Sequence, residues 1–132
     1  MRVVPAAALA LAILVPIRAA AAEPAYSAGY RQCMSHAGGV TASMVACITA
    51  EYRRFDARLN AAYRIALRQR PERRDALVRA ERAWLTYRTA NCDYYLDPDG
   101  GTLARVTANG CVLRMTAERT LELEAIARGG AG

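Results

Sequence analysis

The four cysteines are the side chains of this 132-residue sequence best suited to chemistry: Cys33, Cys47, Cys92 and Cys111. Thiols can ligate a metal or oxidise to disulfides. Zinc sites use closely spaced cysteines together with histidines, whereas these cysteines are far apart and His36 is the only histidine. The spacing therefore favours two disulfides and predicts no metal site.

Four cysteines can pair in three ways. We favour Cys33–Cys47 and Cys92–Cys111, because each of these bridges closes a short loop with a Gly-Gly pair that can bend back. Each bridge should stabilise the fold by about 2–4 kcal/mol in the loop-entropy account. Disulfides persist in oxidising compartments, so the cysteines also predict an exported protein.

Polar side chains fall on the inner faces of three expected helices. Asp56 and Asn60 are four residues apart on the first, Arg88 lies one turn after Trp84 on the second, and Arg119 interrupts the apolar stripe of the third. An unpaired buried charge is very costly. We therefore expect a buried network in which Asp56 accepts hydrogen bonds from Arg88 or Arg119 and Asn60 bridges. Such a network would fix the helix register, and the alternative is a ligand-binding pocket.

A second candidate site is the turn after the second long helix, where acidic and aromatic side chains follow Cys92. Its residues are Asp93, Tyr94, Tyr95, Asp97, Asp99 and Thr102. A disulfide beside this loop would hold it rigid, and preorganisation of that kind favours affinity for a partner. The alternative is a solvated turn in which Asp and Gly serve only local geometry.

Catalytic arrangements find little support in the sequence. His36 has no nucleophile pattern beside it. Gly100-Gly101 lacks the ending of a phosphate-binding loop. Glu51 and Asp56 are five residues apart and point to different faces of one helix, unlike the paired carboxylates of a glycosidase. The sequence predicts no enzyme, no catalytic residues and no cofactor.

Helical periodicity predicts the elements that position these groups. A short leading helix ends at Gly38-Gly39, a long helix runs to Pro71, a second follows, and a third spans about Thr102 to Ala127. The tight turn at Pro71 makes the first two long helices an antiparallel hairpin. The expected fold is all-α, a three-helix bundle of this hairpin plus a third helix, with both disulfides at one end. The expected inner face of the second long helix consists of Leu77, Ala80, Trp84, Tyr87 and Tyr94.

Residues 1–22 have the three parts of a signal peptide, namely Arg2, an apolar run and small residues before the cut. The alternative is an uncleaved anchor. Residues 23–132 then form a single disulfide-stapled helical domain, ordered from about 30 to 128. Arg2 and Arg18 leave with the signal, so sixteen of the eighteen basic residues remain against twelve acidic ones. Acids are interspersed along every helix, so we expect no nucleic-acid partner. Once the signal peptide is cleaved, we expect no stable membrane anchor.

Four segments, in order, resemble a family of small exported bacterial domains named for the N-terminal domain of the LprI lysozyme inhibitor. They are Cys33 with Cys47, FDARLNAAYRIAL at 55–67, ERAWLTYRTANC at 81–92, and Gly100-Gly101-Thr102 followed by Cys111, Thr116, Arg119 and Leu123. A Gln commonly stands in the family where this chain has Glu81. The resemblance covers most of residues 23–132.

The resemblance implies an all-helical, disulfide-containing domain in the periplasm or outside the cell. The family name implies a non-catalytic binding protein of the cell envelope that inhibits lysozyme, so the expected partner is lysozyme or another envelope protein. A lipidation cysteine is lacking, so membrane anchoring is not carried over. The alternative is an envelope-stress or structural accessory protein that binds another periplasmic protein or a peptidoglycan fragment.

Overall fold

A computed structural model describes residues 24–129, and the expected signal peptide at 1–22 lies outside this range. The described residues form α1 (Ala28–His36), α2 (Thr41–Gln69), α3 (Arg74–Asp93) and α4 (Leu103–Ala127), with a 3-10 turn at Pro71–Arg73. No strand occurs among them. The all-α class and the short leading helix are confirmed.

Local sequence accounts for where the helices begin and end. The Ser27 hydroxyl accepts a hydrogen bond from the Tyr30 N–H and so caps α1. Gly38 and Gly39 follow α1 with φ values of 55° and 80°, which residues with a Cβ rarely adopt, and they turn the chain into α2. Pro71 ends α2 and opens the 3-10 turn that leads into α3.

The principal packing in the fold is between α2 and α4, which run in the same direction. Near their N-terminal ends the Thr41 hydroxyl donates to the Thr102 hydroxyl at 3.2 Å. Further along, Arg58 Nε donates to Glu124 Oε1 at 2.9 Å. The expected α2–α3 hairpin thus describes only part of the packing, because the apolar stripe of α2 faces α4 more than it faces α3. The buried side chains between the two helices include Ile48, Phe55, Leu59, Ala62, Leu113, Ala117 and Leu123.

Helix α3 runs antiparallel to α4 and buries only Glu81 and Cys92 along its length. Ala80, Tyr87 and Tyr94, which we expected on its inner face, are exposed, the two tyrosines by 61% and 83%, so the expectation is wrong for these three residues. Leu77 and Trp84 lie on the face toward α2 and α4 as expected. Glu81 and Arg88 replace the residues that precede them in sequence on this face, because both pair with α4. The members of this face are Leu77, Glu81, Trp84, Arg88 and Cys92.

Both predicted disulfides are confirmed. Cys33–Cys47 joins α1 to α2, and Cys92–Cys111 joins the end of α3 to α4. Because the hydrogen bond between Thr41 and Thr102 brings together the N-terminal ends of α2 and α4, both bridges lie in the same half of the fold. Cys33 is exposed to solvent, whereas the other three cysteines are buried.

Glu51 is a buried carboxylate that ties the start of α1 to α2. Its side chain is 4% exposed. It accepts hydrogen bonds from the Ser27 N–H at 2.8 Å and hydroxyl at 2.7 Å, and from Arg54 Nη2 at 2.6 Å. Burial by itself raises the pKa of Glu51, but the hydrogen bonds from Arg54 and Ser27 outweigh burial and lower the pKa to about 2.

We expect acid to weaken this attachment of α1. Since the folded-state pKa of Glu51 lies below its ordinary value of 4.5, its stabilising contribution is complete above pH 4.5 and is lost as the pH falls to about 2. Urea unfolding measured at several pH values between about 5 and 2 tests this. The Glu51→Gln variant cannot titrate there and should lose less stability across the range than the parent protein. Equal losses in the two proteins would contradict the assignment.

Candidate functional site

A groove of about 260 Å³ lies between α2 and α3, and we call it the polar groove. Its polar lining comes from Asp56 and Asn60 on α2 and from Glu81, Arg82 and Arg88 on α3. Apolar and aromatic side chains, Trp84 among them, complete the walls. Three residues of the predicted network therefore line one groove, and the fourth, Arg119, contacts Glu81 from α4.

Asp56 and Asn60 contact each other rather than an arginine. Asn60 Nδ2 donates to Asp56 Oδ2 at 3.1 Å and to the Asp56 main-chain oxygen at 2.8 Å. The Tyr52 hydroxyl lies 3.4 Å from Asp56 Oδ1. Arg88 and Arg119 make their hydrogen bonds to other residues, so the predicted pairing of Asp56 with either arginine is wrong. Asp56 is half-buried and Asn60 exposed, so α2 itself satisfies this pair at its surface.

Arg119 is buried as predicted, but its partners are carboxylates of α3 and α4. Its Nη2 and Nε lie 2.8 Å and 2.9 Å from Glu81 Oε2, and its Nη1 donates to Glu122 Oε2 at 2.7 Å. Burial alone lowers the pKa of Arg119, yet the hydrogen bonds to Glu122 and Glu81 outweigh burial and raise the pKa above its ordinary value. The guanidinium therefore stays charged inside the fold.

Arg88 connects α3 to both neighbouring helices. Its Nη1 donates to the Thr116 hydroxyl on α4 at 3.0 Å. Its guanidinium carbon lies 4.9 Å from the Trp84 ring centroid and 5.9 Å from that of Tyr52 on α2. A guanidinium over an aromatic face is attracted by the ring quadrupole. The single tryptophan of the chain thus helps to position a cation at the groove.

Sequence reasoning missed two polar residues of the groove, Glu81 and Arg82, and of these Glu81 is the buried one. The residue is 7% exposed, and Arg119 occupies its Oε2. Its Oε1 has no hydrogen-bond partner, and within residues 24–129 every other buried side-chain nitrogen or oxygen has one. Glutamate is mostly exposed in proteins, which is why the residue was not placed inside. The resemblance noted above offered the available signal, because it implies a Gln at this position and an uncharged hydrogen-bonding side chain suits an inward position.

The second candidate site lies near the N-terminal ends of α2 and α4, where several large apolar side chains are exposed, and we call this set of side chains the end surface. The Tyr94 and Tyr95 side chains are 83% and 40% exposed, and their rings meet edge to face with centroids 5.5 Å apart. Leu96 and Leu103 are exposed beside them in sequence. Exposed Val40 precedes Thr41, whose hydroxyl bonds Thr102. The end surface consists of Val40, Tyr94, Tyr95, Leu96 and Leu103.

The acidic residues of the predicted loop have different local roles. Asp97 Oδ1 accepts the Asp99 N–H at 2.9 Å, so Asp97 shapes the turn itself. Asp93 ends α3, and both it and Asp99 are exposed. Thr102 is exposed and receives the hydrogen bond from Thr41. The loop therefore shows an aromatic and apolar surface with acidic groups at its margin.

The sequence profile described as lysozyme inhibitor LprI matches residues 33–123. The chain belongs to the LprI lysozyme inhibitor family. An uncharacterized protein of Rhizobium meliloti (strain 1021) is 31% identical over 93 residues, which is 59% of this chain and 67% of that relative. No solved structure matches the chain.

The part of this LprI family member that matches the profile contains both disulfides, the polar groove and the end surface. Membership of this family and the two disulfides are consistent with an extracytoplasmic location. Within residues 24–129, no helix combines the length and apolar character that crossing a membrane requires.

Proposed function

We propose that this protein is an exported, non-catalytic lysozyme inhibitor that acts in the periplasm or outside the cell after cleavage of residues 1–22. The family supports a protein partner, namely a lysozyme. The observation that carries the proposal is the end surface, where five large apolar side chains are exposed at one end of a disulfide-bonded fold. Contiguous exposed apolar side chains mark interaction sites.

The composition of the end surface suits contact with a protein. Tyrosine is enriched among the residues that dominate binding energy, because it buries a large rigid ring and keeps a hydroxyl to hydrogen-bond. The Cys92–Cys111 bridge and the Thr41–Thr102 hydrogen bond hold the loop at both of its ends. The loop then loses less conformational entropy on binding, which favours affinity.

Electrostatics adds a local contribution at the margin of this surface. Without residues 1–22 the protein keeps sixteen basic residues against twelve acidic ones, a net charge of +4, so it offers no long-range attraction to a basic lysozyme. Exposed Asp93 and Asp99 instead place negative charge beside the tyrosines. A contact of this kind depends on the apolar surface for affinity and on the acidic margin for orientation.

A muramidase assay tests the proposal. Oxidised protein lacking residues 1–22 should inhibit at least one type of lysozyme in a saturable manner. Replacing both Tyr94 and Tyr95 by Ala should weaken inhibition by at least about thirtyfold, since loss of even one tyrosine that dominates binding costs about 2 kcal/mol or more. Tyr87→Ala is the matched control, because Tyr87 is 61% exposed on α3 outside the end surface.

The outcomes separate the family assignment from the proposed mode of binding. Inhibition that falls equally with Tyr87→Ala would place the contact elsewhere. Absence of inhibition against lysozymes of several types at high protein concentration would contradict the proposed function. Circular dichroism of each variant shows whether the fold is intact, so that loss of binding is not confused with unfolding.

A further inference from the structure

We propose that a cavity at the end of the fold opposite the end surface binds an aliphatic phosphate, that is, a phosphate monoester with an apolar chain. The cavity lies where α2 and α4 end and α3 begins, and we call it the arginine pocket. Its lining includes Arg70, Arg73, Arg74, Ala66, Leu77 and Ile126. Because α2 has 29 residues and a helix rises about 1.5 Å per residue, roughly 40 Å separate this pocket from the end surface. The inference goes beyond lysozyme inhibition and does not depend on it.

The first observation is that the charged side chains lining this cavity all have one sign. Arg70, Arg73 and Arg74 line the pocket, and among the described residues no carboxylate does. None of the three arginines forms an ion pair within residues 24–129. Glu72 and Asp75, their nearest carboxylates in sequence, are exposed and lie outside the lining. An anion in the pocket is therefore attracted by three positive charges and opposed by no lining carboxylate.

The local backbone brings the three arginines to one place. Arg70 follows the last residue of α2, Arg73 ends the 3-10 turn that Pro71 begins, and Arg74 begins α3. The Arg73 N–H donates to the Arg70 carbonyl at 2.9 Å, which closes this turn. The spacing of the arginines is thus set by main-chain geometry before any ligand arrives. Such preorganisation lowers the entropic cost of binding.

The number of arginines favours a phosphate over a carboxylate head group. A phosphate monoester carries about 1.5 to 2 negative charges at neutral pH and offers three strong acceptor oxygens. A carboxylate carries one charge on two oxygens. Each guanidinium presents a planar fork of donors that matches phosphate oxygens. A phosphate can therefore accept hydrogen bonds from more than one of the three arginines at once.

The second observation is the apolar part of the same lining. Ala66, Leu77 and Ile126 come from α2, α3 and α4, and exposed Ala76 and Ala80 extend this surface along α3. Inorganic phosphate would leave it in contact with water, whereas an aliphatic chain covers it and gains the free energy of apolar burial. The volume of about 600 Å³ lies within the roughly 300–1,000 Å³ of pockets that hold small ligands. The pocket thus combines a site for an anionic head with a site for a chain.

Calorimetric titration of the oxidised protein measures binding directly. The probes are octyl phosphate, octanoate, inorganic phosphate and octyltrimethylammonium, each kept below the concentration at which it forms micelles. We expect saturable binding of one octyl phosphate per chain. Octanoate and inorganic phosphate should each bind at least about tenfold more weakly, because one lacks charge and the other lacks the chain. The cation should show no saturable binding.

A double variant tests the assignment to this pocket. Arg70→Gln combined with Arg74→Gln should weaken octyl phosphate binding at least about tenfold, since charge-assisted hydrogen bonds to the phosphate are lost. Both residues are exposed, so the fold should persist, and thermal unfolding checks this. Arg64→Gln combined with Arg79→Gln is the matched control, because it removes the same charge at exposed positions outside the pocket. The control should bind octyl phosphate as the parent does.

Other outcomes overturn the proposal. Absence of saturable octyl phosphate binding means that the arginines only complement the carbonyl ends of α2 and α4. Octanoate that binds as tightly as octyl phosphate contradicts the phosphate head group, and inorganic phosphate that does so contradicts the chain. Equal losses in the two double variants mean that net charge governs binding. Lysozyme inhibition by the Arg70 and Arg74 double variant is a separate readout, so failure at the pocket and failure at the end surface remain distinguishable.

Discussion

Replacing Arg119 by Ala is expected to lower the free energy of unfolding by about 3–5 kcal/mol. Arg119 is 8% exposed, and its guanidinium lies 2.8 Å from Glu81 Oε2. Its removal leaves the Glu81 carboxylate charged and buried, with neither oxygen held by an arginine. Breaking a buried pair from one side costs far more than the pair contributes, because the remaining charge has no compensation.

Urea denaturation followed by circular dichroism measures this loss. Arg114→Ala is the matched control, since Arg114 contacts Glu118 on the same helix at 2.9 Å with both side chains about half exposed. Exposed pairs contribute about 0–1 kcal/mol, so the control should change little. Replacing Glu81 by Leu and Arg119 by Met together should recover most of the loss. A loss in Arg119→Ala no greater than that in Arg114→Ala would show that the buried pair does not stabilise the fold.

Removing both disulfides is expected to have an effect of comparable size. The bridges span sequence separations of 14 and 19 residues, and closing loops of this length stabilises by about 3 kcal/mol each in the entropic account. The sum approaches the total stability of about 5–15 kcal/mol that is typical of a domain. We therefore expect the fully reduced protein to unfold at a markedly lower temperature, as measured by calorimetry with and without a thiol.

The two bridges should open in a fixed order. Cys33 is exposed, whereas Cys92 and Cys111 are both buried, so a mild thiol should reach Cys33–Cys47 first. That step removes the covalent link between α1 and α2, while the hydrogen bonds of Ser27 to Glu51 and the packing of α2 against α4 persist. Alkylation and mass spectrometry at increasing thiol concentration would reveal the intermediate. Simultaneous loss of both bridges, or earlier loss of Cys92–Cys111, would contradict the order inferred from burial.

The helices and the disulfides could be predicted from the sequence, because helix ends depend on local residues and four cysteines allow only a few pairings. Pro71 and the Gly38-Gly39 pair mark helix ends by their own backbone preferences. Four cysteines leave only three pairings, and the shorter loops were correctly preferred. The location of Arg119 was also predicted, since it interrupts an apolar stripe.

The partners of the buried charges could not be predicted in the same way. A prediction from periodicity places carboxylates on the solvent side of a helix. The predicted inner face of α3 therefore left out Glu81, which is buried. Glu51 is buried because Ser27, 24 residues away, reaches it, and helix spacing does not report such contacts. The pairing of Asp56 failed because Asn60, one turn away, satisfies its side chain locally. Long-range polar contacts require the tertiary arrangement.

The parallel arrangement of α2 and α4 has a kinetic consequence. Arg58 and Glu124 are 66 residues apart in sequence, and the Thr120 hydroxyl reaches the Phe55 carbonyl across 65 residues. Helical proteins usually fold fast because their contacts are local, and distant contacts slow the search. Here the core is completed by α4, the last of the described helices in chain order. The central packing therefore cannot form until α4 has been synthesised, so the apolar stripe of α2 stays without its principal partner while α3 is being made.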